Sequence, residues 1–164
     1  MSAETHVPEI DLVSEAASWD ADAEAVVRRA LAEAAVATAK DFRNHTVTVL
    51  LTDDAAIRRL NASWRGIDKP TNVLSFPAAP QFECADTTSL GDIAIAYETT
   101  AREAQDEGKP FGHHLSHLAV HGFLHLIGYD HESDEQAGTM ENLERDILQR
   151  IGVPDPYLTQ EVEV

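Results

Sequence analysis

The sequence predicts a single α+β domain in which four strands and five helices share one core. Three observations carry that prediction. Segments with period-2 alternation and segments with helical periodicity take turns along the chain. No internal repeat or linker divides the 164 residues. Apolar residues make up 43% of them, an ordinary share for a chain long enough to bury a core of its own. Residues 1–164 are therefore read as one domain, with mobile ends expected at 1–7 and 155–164.

Residues 8–13 read as the first strand. A helix follows from about Asp20 to Lys40, with Val27, Ala30, Leu31, Ala34 and Ala35 forming an apolar stripe whose small side chains suit close packing on a sheet. His45 to Thr52 alternates, with Val47, Val49 and Leu51 on one side, and is a strand. Asp53 and Asp54 supply the cap and first turn of a second helix. Ile57, Leu60 and Trp64 are expected to face inward there, and Gly66 to close it. Lys69 and Pro70 mark a turn, and Asn72 to Phe76 is a short strand stopped by Pro77. Residues 78–89 form a polar stretch without pattern, read as a loop. Gly91 to Ala96 is the fourth strand, with Ile93 and Ile95 on one face, and Glu98 to Glu107 a short helix ended by Gly108.

Pro110 suits the first position of the next helix, which carries Leu118 to His131, LAVHGFLHLIGYDH. Leu118, Ala119, Val120, Phe123, Leu124, Leu126 and Ile127 make it apolar nearly all round, the mark of a buried helix. His121 and His125 lie four apart, so helical geometry stacks both rings on one face, about 6 Å apart along the axis. Gly128 is the residue type that ends helices in a left-handed conformation, and a chain doubling back there brings His131 beside the other two. A final helix starts at Ser133, whose spacing to Gln136 fits a capping box. Ala137, Met140, Leu143, Ile147 and Ile151 form its apolar side, and Gly152 and Pro154 stop it.

Unsatisfied imidazole nitrogens in an apolar setting cost about 1 to 3 kcal/mol each, and one cation satisfies three rings at once. His121, His125 and His131 are therefore read as ligands of a single metal ion, zinc by default for neutral imidazoles. Three protein ligands leave a fourth position for water, the arrangement of a catalytic centre. A lone histidine is more often hydrogen-bonded to backbone; three at this spacing, broken by a glycine, reverse those odds. His117 and His125 lie about 12 Å apart along a straight helix, too far for one ion. His113, His114 and His117 are expected to be exposed and are given no role. Asp130 either orients a histidine or, the favoured reading, caps the turn after Gly128.

The formal charge of −17 argues for solubility and against diffuse attraction to nucleic acid or anionic membrane. No segment reaches the roughly 18 to 20 apolar residues of a membrane span, and MSAETHVPEIDLVSE has no secretory-signal pattern. A single cysteine, Cys84, is read as a loop or packing residue. These features point to the cytoplasm. Arg58, Arg59, Arg65 and Lys69 are four of only twelve basic residues and fall within twelve positions, the one patch able to steer a phosphate backbone.

HGFLHLIGYDH (His121 to His131) and LNASWRGIDKPTNVLSFP (Leu60 to Pro77) resemble the signature segments of the YbeY family of bacterial metal-dependent endoribonucleases. LGDIAI (Leu90 to Ile95) and AGTMENLERDIL (Ala137 to Leu148) are similar to its intervening strand and C-terminal helix, so the resemblance spans about residues 45–150. It implies a mixed sheet flanked by helices, a zincin-like metal helix, and one zinc per chain held by His121, His125 and His131. The family's functionally important arginine falls on Arg65, which would hold phosphate oxygens. The implied activity is single-strand-specific cleavage of RNA in late 16S rRNA 3′-end maturation and ribosome quality control. The implied partners are the small ribosomal subunit and ribosomal or assembly-factor proteins, with no DNA and no membrane.

Two other readings fit some of these residues. Helical His-x3-His followed by glycine and a later histidine is also found in zinc peptidases, but those carry glutamate after the first histidine as general base, where this chain has Gly122. A non-catalytic ribosome-assembly factor with a structural metal predicts normal function after Arg65→Ala.

Overall fold

The computed structural model describes residues 7–78 and 87–157. In chain order it contains β1 (Glu9–Ser14), α1 (Ala21–Ala37), β2 (His45–Thr52), α2 (Asp54–Arg65), β3 (Val73–Pro77), β4 (Thr88–Ala96), α3 (Tyr97–Asp106), α4 (Phe111–Leu126) and α5 (Asp134–Arg150). The α+β domain with a mixed four-stranded sheet and five helices is thus as expected. Cys84 lies outside the described residues.

The strand order is β1-β2-β4-β3. β1 and β4 flank β2 in parallel, and β3 runs antiparallel along β4, with Ser75 opposite Ile93. Successive side chains of a strand point to opposite faces, so each strand serves two layers. Val47, Val49, Leu51, Ile93 and Ile95 pack with α1, α4 and α5 in the larger core. Ala94, Ala96 and Leu74 form a smaller cluster with Ile57 of α2 on the opposite face.

Local chemistry sets most boundaries. Asp20 and Asp53 each accept a hydrogen bond at 2.8 Å from the backbone N–H three residues on, satisfying a donor the helix start leaves unpaired. α1 stops at Ala37, short of the expected Lys40, because the backbone turns left-handed at Ala39 (φ 58°). β4 begins at Thr88, inside the stretch read as a loop: pairing with His45 and Thr46 of β2 makes a strand of residues that show no apolar alternation. Pro110 precedes α4 as its N-cap and is not its first helical residue. The Ser133 hydroxyl caps Gln136 N–H at 3.1 Å, while the Gln136 side chain accepts from Glu132 N–H.

One core assignment fails. Trp64 was expected to face inward, yet it is 71% exposed. The buried face of α2 consists of Ile57 and Asn61, and two turns beyond Ile57 the aromatic neighbour of Trp64 is Phe76 on the edge strand, with ring centroids 5.7 Å apart. At the end of the described residues, Asp155 accepts a hydrogen bond from Arg145 at 2.9 Å, and the Tyr157 hydroxyl donates to Glu144 of α5. Residues 158–164, like 1–6, lie outside the described residues.

Candidate metal centre

The helix that carries the first two histidines is gripped by its surroundings. Leu115, Val120, Phe123 and Leu124 are fully buried in the larger core. At Gly122 the helix lies directly on the sheet: a Cβ there would stand 3.0 Å from Ile93 Cγ2, 3.2 Å from Val73 Cγ2 and 3.3 Å from Ser75 Oγ. The Ser75 hydroxyl donates to the Gly122 carbonyl at 2.8 Å, pinning that turn to β3. The position where zinc peptidases carry their glutamate is therefore a packing contact with no room for one.

Past Leu126 the chain reverses at Gly128, whose φ of 108° no L-residue adopts readily. Tyr129 N–H returns to the Leu124 carbonyl at 2.9 Å, closing the helix end. That reversal delivers His131. Ring centroids lie 4.6 Å apart for His121 and His125, 5.0 Å for His125 and His131, and 5.9 Å for His121 and His131. One nitrogen from each ring lies within 4.8 Å of the others. Nitrogens on a tetrahedral zinc with bonds of about 2.1 Å stand about 3.4 Å apart, so small side-chain rotations would bring these three to that spacing. The donor set, three imidazoles on one cleft, fits a divalent metal ion.

A residue that sequence reasoning missed completes the centre. Glu144 of α5 is fully buried and accepts from His121 Nδ1 at 2.7 Å and His117 Nε2 at 2.9 Å, and from the Tyr157 hydroxyl. Burial pushes its carboxyl up, but the hydrogen bonds from His117, His121 and Tyr157 outweigh burial and hold it at about 2. It is an anion at neutral pH, and Tyr157 beside it is raised above the usual phenol range by burial and by that bond. With Nδ1 of His121 engaged, Nε2 is the nitrogen left for an ion, so Glu144 selects both tautomer and ring orientation. His117, His121 and Glu144 also satisfy the distances of a metal group, but separations of 2.7 and 2.9 Å are hydrogen bonds, not a shared ion.

The other histidines correct an expectation. His114, expected to be exposed, is 5% exposed and pairs through Nε2 with Glu103 at 2.8 Å, while Asn72 donates to the same carboxylate at 2.9 Å. His117 is likewise largely covered, and His113 is half-buried. His114 and His117 line the wall of the cleft. Asp130 accepts from its neighbour's backbone, His131 N–H, at 2.7 Å, the turn role favoured for it.

Burial lowers the His125 pKa, and the neighbouring His121 and His131 lower it further, so its ring keeps a free lone pair to lower pH than an ordinary histidine. The three rings open onto a cleft of about 920 Å³ whose lining also includes Ser75, Tyr157 and Arg65. Arg65 ends α2, where Gly66 caps the helix in a left-handed conformation (φ 71°) and aims the chain away. Among the described residues, neither Arg65 nor Arg59 has an ion-pair partner, whereas Arg58 is bound to Asp68 at 2.7 Å. Among the described residues no helix is long and apolar enough to cross a membrane.

Comparison with known proteins gives concordant results. The family model described as Endoribonuclease YbeY matches residues 9–152. A protein of that name from Rhodopseudomonas palustris is 60% identical, with 93% of each chain aligned. One from Bradyrhizobium diazoefficiens is 59% identical over 91% of this chain and 84% of its own length. The solution structure of TM1509 from Thermotoga maritima superposes with a TM-score of 0.55 at 24% identity, covering 92% of this chain and 99% of that one, which speaks to the fold alone.

Proposed function

The chain belongs to the YbeY family of endoribonucleases, and on that premise we propose that it is a zinc-dependent endoribonuclease that cuts single-stranded ribosomal RNA. The observation that carries the reading is the convergence of His121, His125 and His131 on a cleft that Arg65 also lines. A zinc ion held by those rings would supply Lewis-acid activation of water or of a phosphate oxygen. The remaining steps fall to the chain's own groups. Neutral imidazole nitrogens of His121, His125 and His131 bind the ion, and Glu144 fixes the His121 ring by accepting its Nδ1 proton. The Arg65 guanidinium, without a protein anion among the described residues to hold it, takes two non-bridging phosphate oxygens through its planar fork of donors. It thereby positions the phosphodiester and offsets charge that develops on it in the transition state.

The substrate in the cell is taken to be the 3′ region of small-subunit RNA, with ribosome quality control in the cytoplasm as the setting and ribosomal or assembly-factor proteins as partners. That part rests on the resemblance of the signature segments. The peptidase reading lacks its general base, since position 122 has no space for a carboxylate. The assembly-factor reading predicts that Arg65 is dispensable.

The test is cleavage of intact small subunits by wild type, Arg65→Ala and His125→Ala side by side, with products mapped. Chelator-sensitive cutting should fall about 100-fold or more in Arg65→Ala, the typical cost of removing a transition-state donor. Equal cutting by wild type and Arg65→Ala would overturn the role of Arg65, and cutting that survives both His125→Ala and chelator would overturn the metal.

A further inference from the structure

Trp64 stands next to Arg65 in the chain, yet on the other side of the edge strand. Val73, Ser75 and Pro77 of β3 line the cleft, whereas Phe76, absent from that lining, packs with Leu74 against Ile57 of α2. Trp64 packs against Phe76 at 5.7 Å with the planes inclined by 53°, and leaves 71% of its surface in solvent. An exposed tryptophan braced from behind by a second ring is costly to leave bare, at about 25 cal/mol per Å² of apolar surface. Its surroundings are cationic in an otherwise acidic protein: residues 58–70 hold four of the twelve Lys and Arg and one of the 29 Asp and Glu.

From this we propose that Trp64 is a stacking platform for an unpaired base of the RNA, one step along the strand from the phosphate held by Arg65. The strand then passes over the β3 edge, with its backbone on Arg65 and Arg59 and a base on the indole. Aromatic stacking accepts any base but requires that it be unstacked from a duplex, so the platform itself supplies selectivity for single strands. The proposal rests on the nuclease reading above and adds a subsite to it.

The chain's other tryptophan makes the test clean. Trp19 is 6% exposed and its indole N–H is bound to the Thr52 carbonyl at 2.9 Å, so changes in tryptophan emission on adding RNA report on Trp64. The zinc-loaded full chain is mixed in a stopped-flow instrument with an adenylate octamer, the same octamer in a duplex, or an abasic octamer, and binding is read before cutting. The single-stranded octamer should quench emission, and the duplex and abasic forms should not. Read for the variants by the anisotropy of an end-labelled octamer, since they lack the reporting indole, Trp64→Ala should bind about tenfold or more weakly, as loss of one stacked base predicts, while Trp64→Tyr stays within about threefold of wild type.

Equal quenching by the abasic octamer, or wild-type affinity in Trp64→Ala, overturns the platform. So does a Trp64→Ala chain that handles free RNA normally but fails on whole small subunits, which would make the ring a protein-docking residue. Cutting by the wild type without quenching sinks this proposal alone; no cutting of any RNA sinks the nuclease reading with it.

Discussion

At the scale of single residues, the clustering of His121, His125 and His131 was legible because their spacing is itself geometric information: four residues fix two rings on one helix face, and a glycine permits the return of the third. Glu144 was not legible. It interrupts the apolar side of α5 between Met140 and Ile147, and a glutamate within the polar run ENLER reads as solvated unless a partner across the core is known. The signal was its place one turn after Met140; what satisfies it lies on α4 and beyond α5, far away in sequence. Glu144→Gln keeps the shape, removes the charge and replaces an acceptor by a donor. Zinc affinity should fall about 10- to 100-fold, as loss of a ligand-orienting carboxylate does elsewhere, and competition with a chromophoric chelator measures it. Trp64 was misread for a different reason. Helical periodicity gives an angle around the axis but not whether the sheet still lies beneath the last turn.

Among elements, the helix starts at Asp53 and Ser133 were legible, because each side chain acts on a backbone donor three residues away. Asp53→Ala should lower stability by about 1 kcal/mol, read as a shift in the urea midpoint, because it strands an α2 donor. The start of β4 was invisible since its pairing with β2 is tertiary. The crossing of α4 over the sheet has its own consequence. Gly122→Glu would drive a side chain into Ile93, Val73 and Ser75, at separations of 3.0 to 3.3 Å already for its first carbon. The expected cost is about 3 kcal/mol or more, from overpacking plus a carboxylate forced toward an apolar contact. Urea denaturation should record that loss, and assays on peptide substrates should record no gain of proteolysis.

For the molecule as a whole, metal binding at the proposed centre would be linked to folding. His121 and His125 come from α4, His131 from the loop after it, and Glu144, bonded to His121, from α5, so an ion bound by the three histidines would tie three segments together. Elemental analysis should find one zinc per chain. Stripping it should lower the melting temperature, since a ligand at 100 times its Kd adds about 2.7 kcal/mol; His121→Ala should show neither the zinc nor the shift. The total charge of −17 sets the other global property. Long-range attraction cannot bring RNA to most of this surface, so capture as proposed would depend on residues 58–70, and binding should weaken with salt in proportion to the few phosphates engaged. Finally, the hydroxyl of Tyr157 reaches the carboxylate behind the metal histidines from beyond the last helix. A carboxypeptidase trimming back past that tyrosine would disarm the enzyme before it unmade it: zinc should leak while circular dichroism still reports intact helices, so damage at the tail is felt first as lost chemistry.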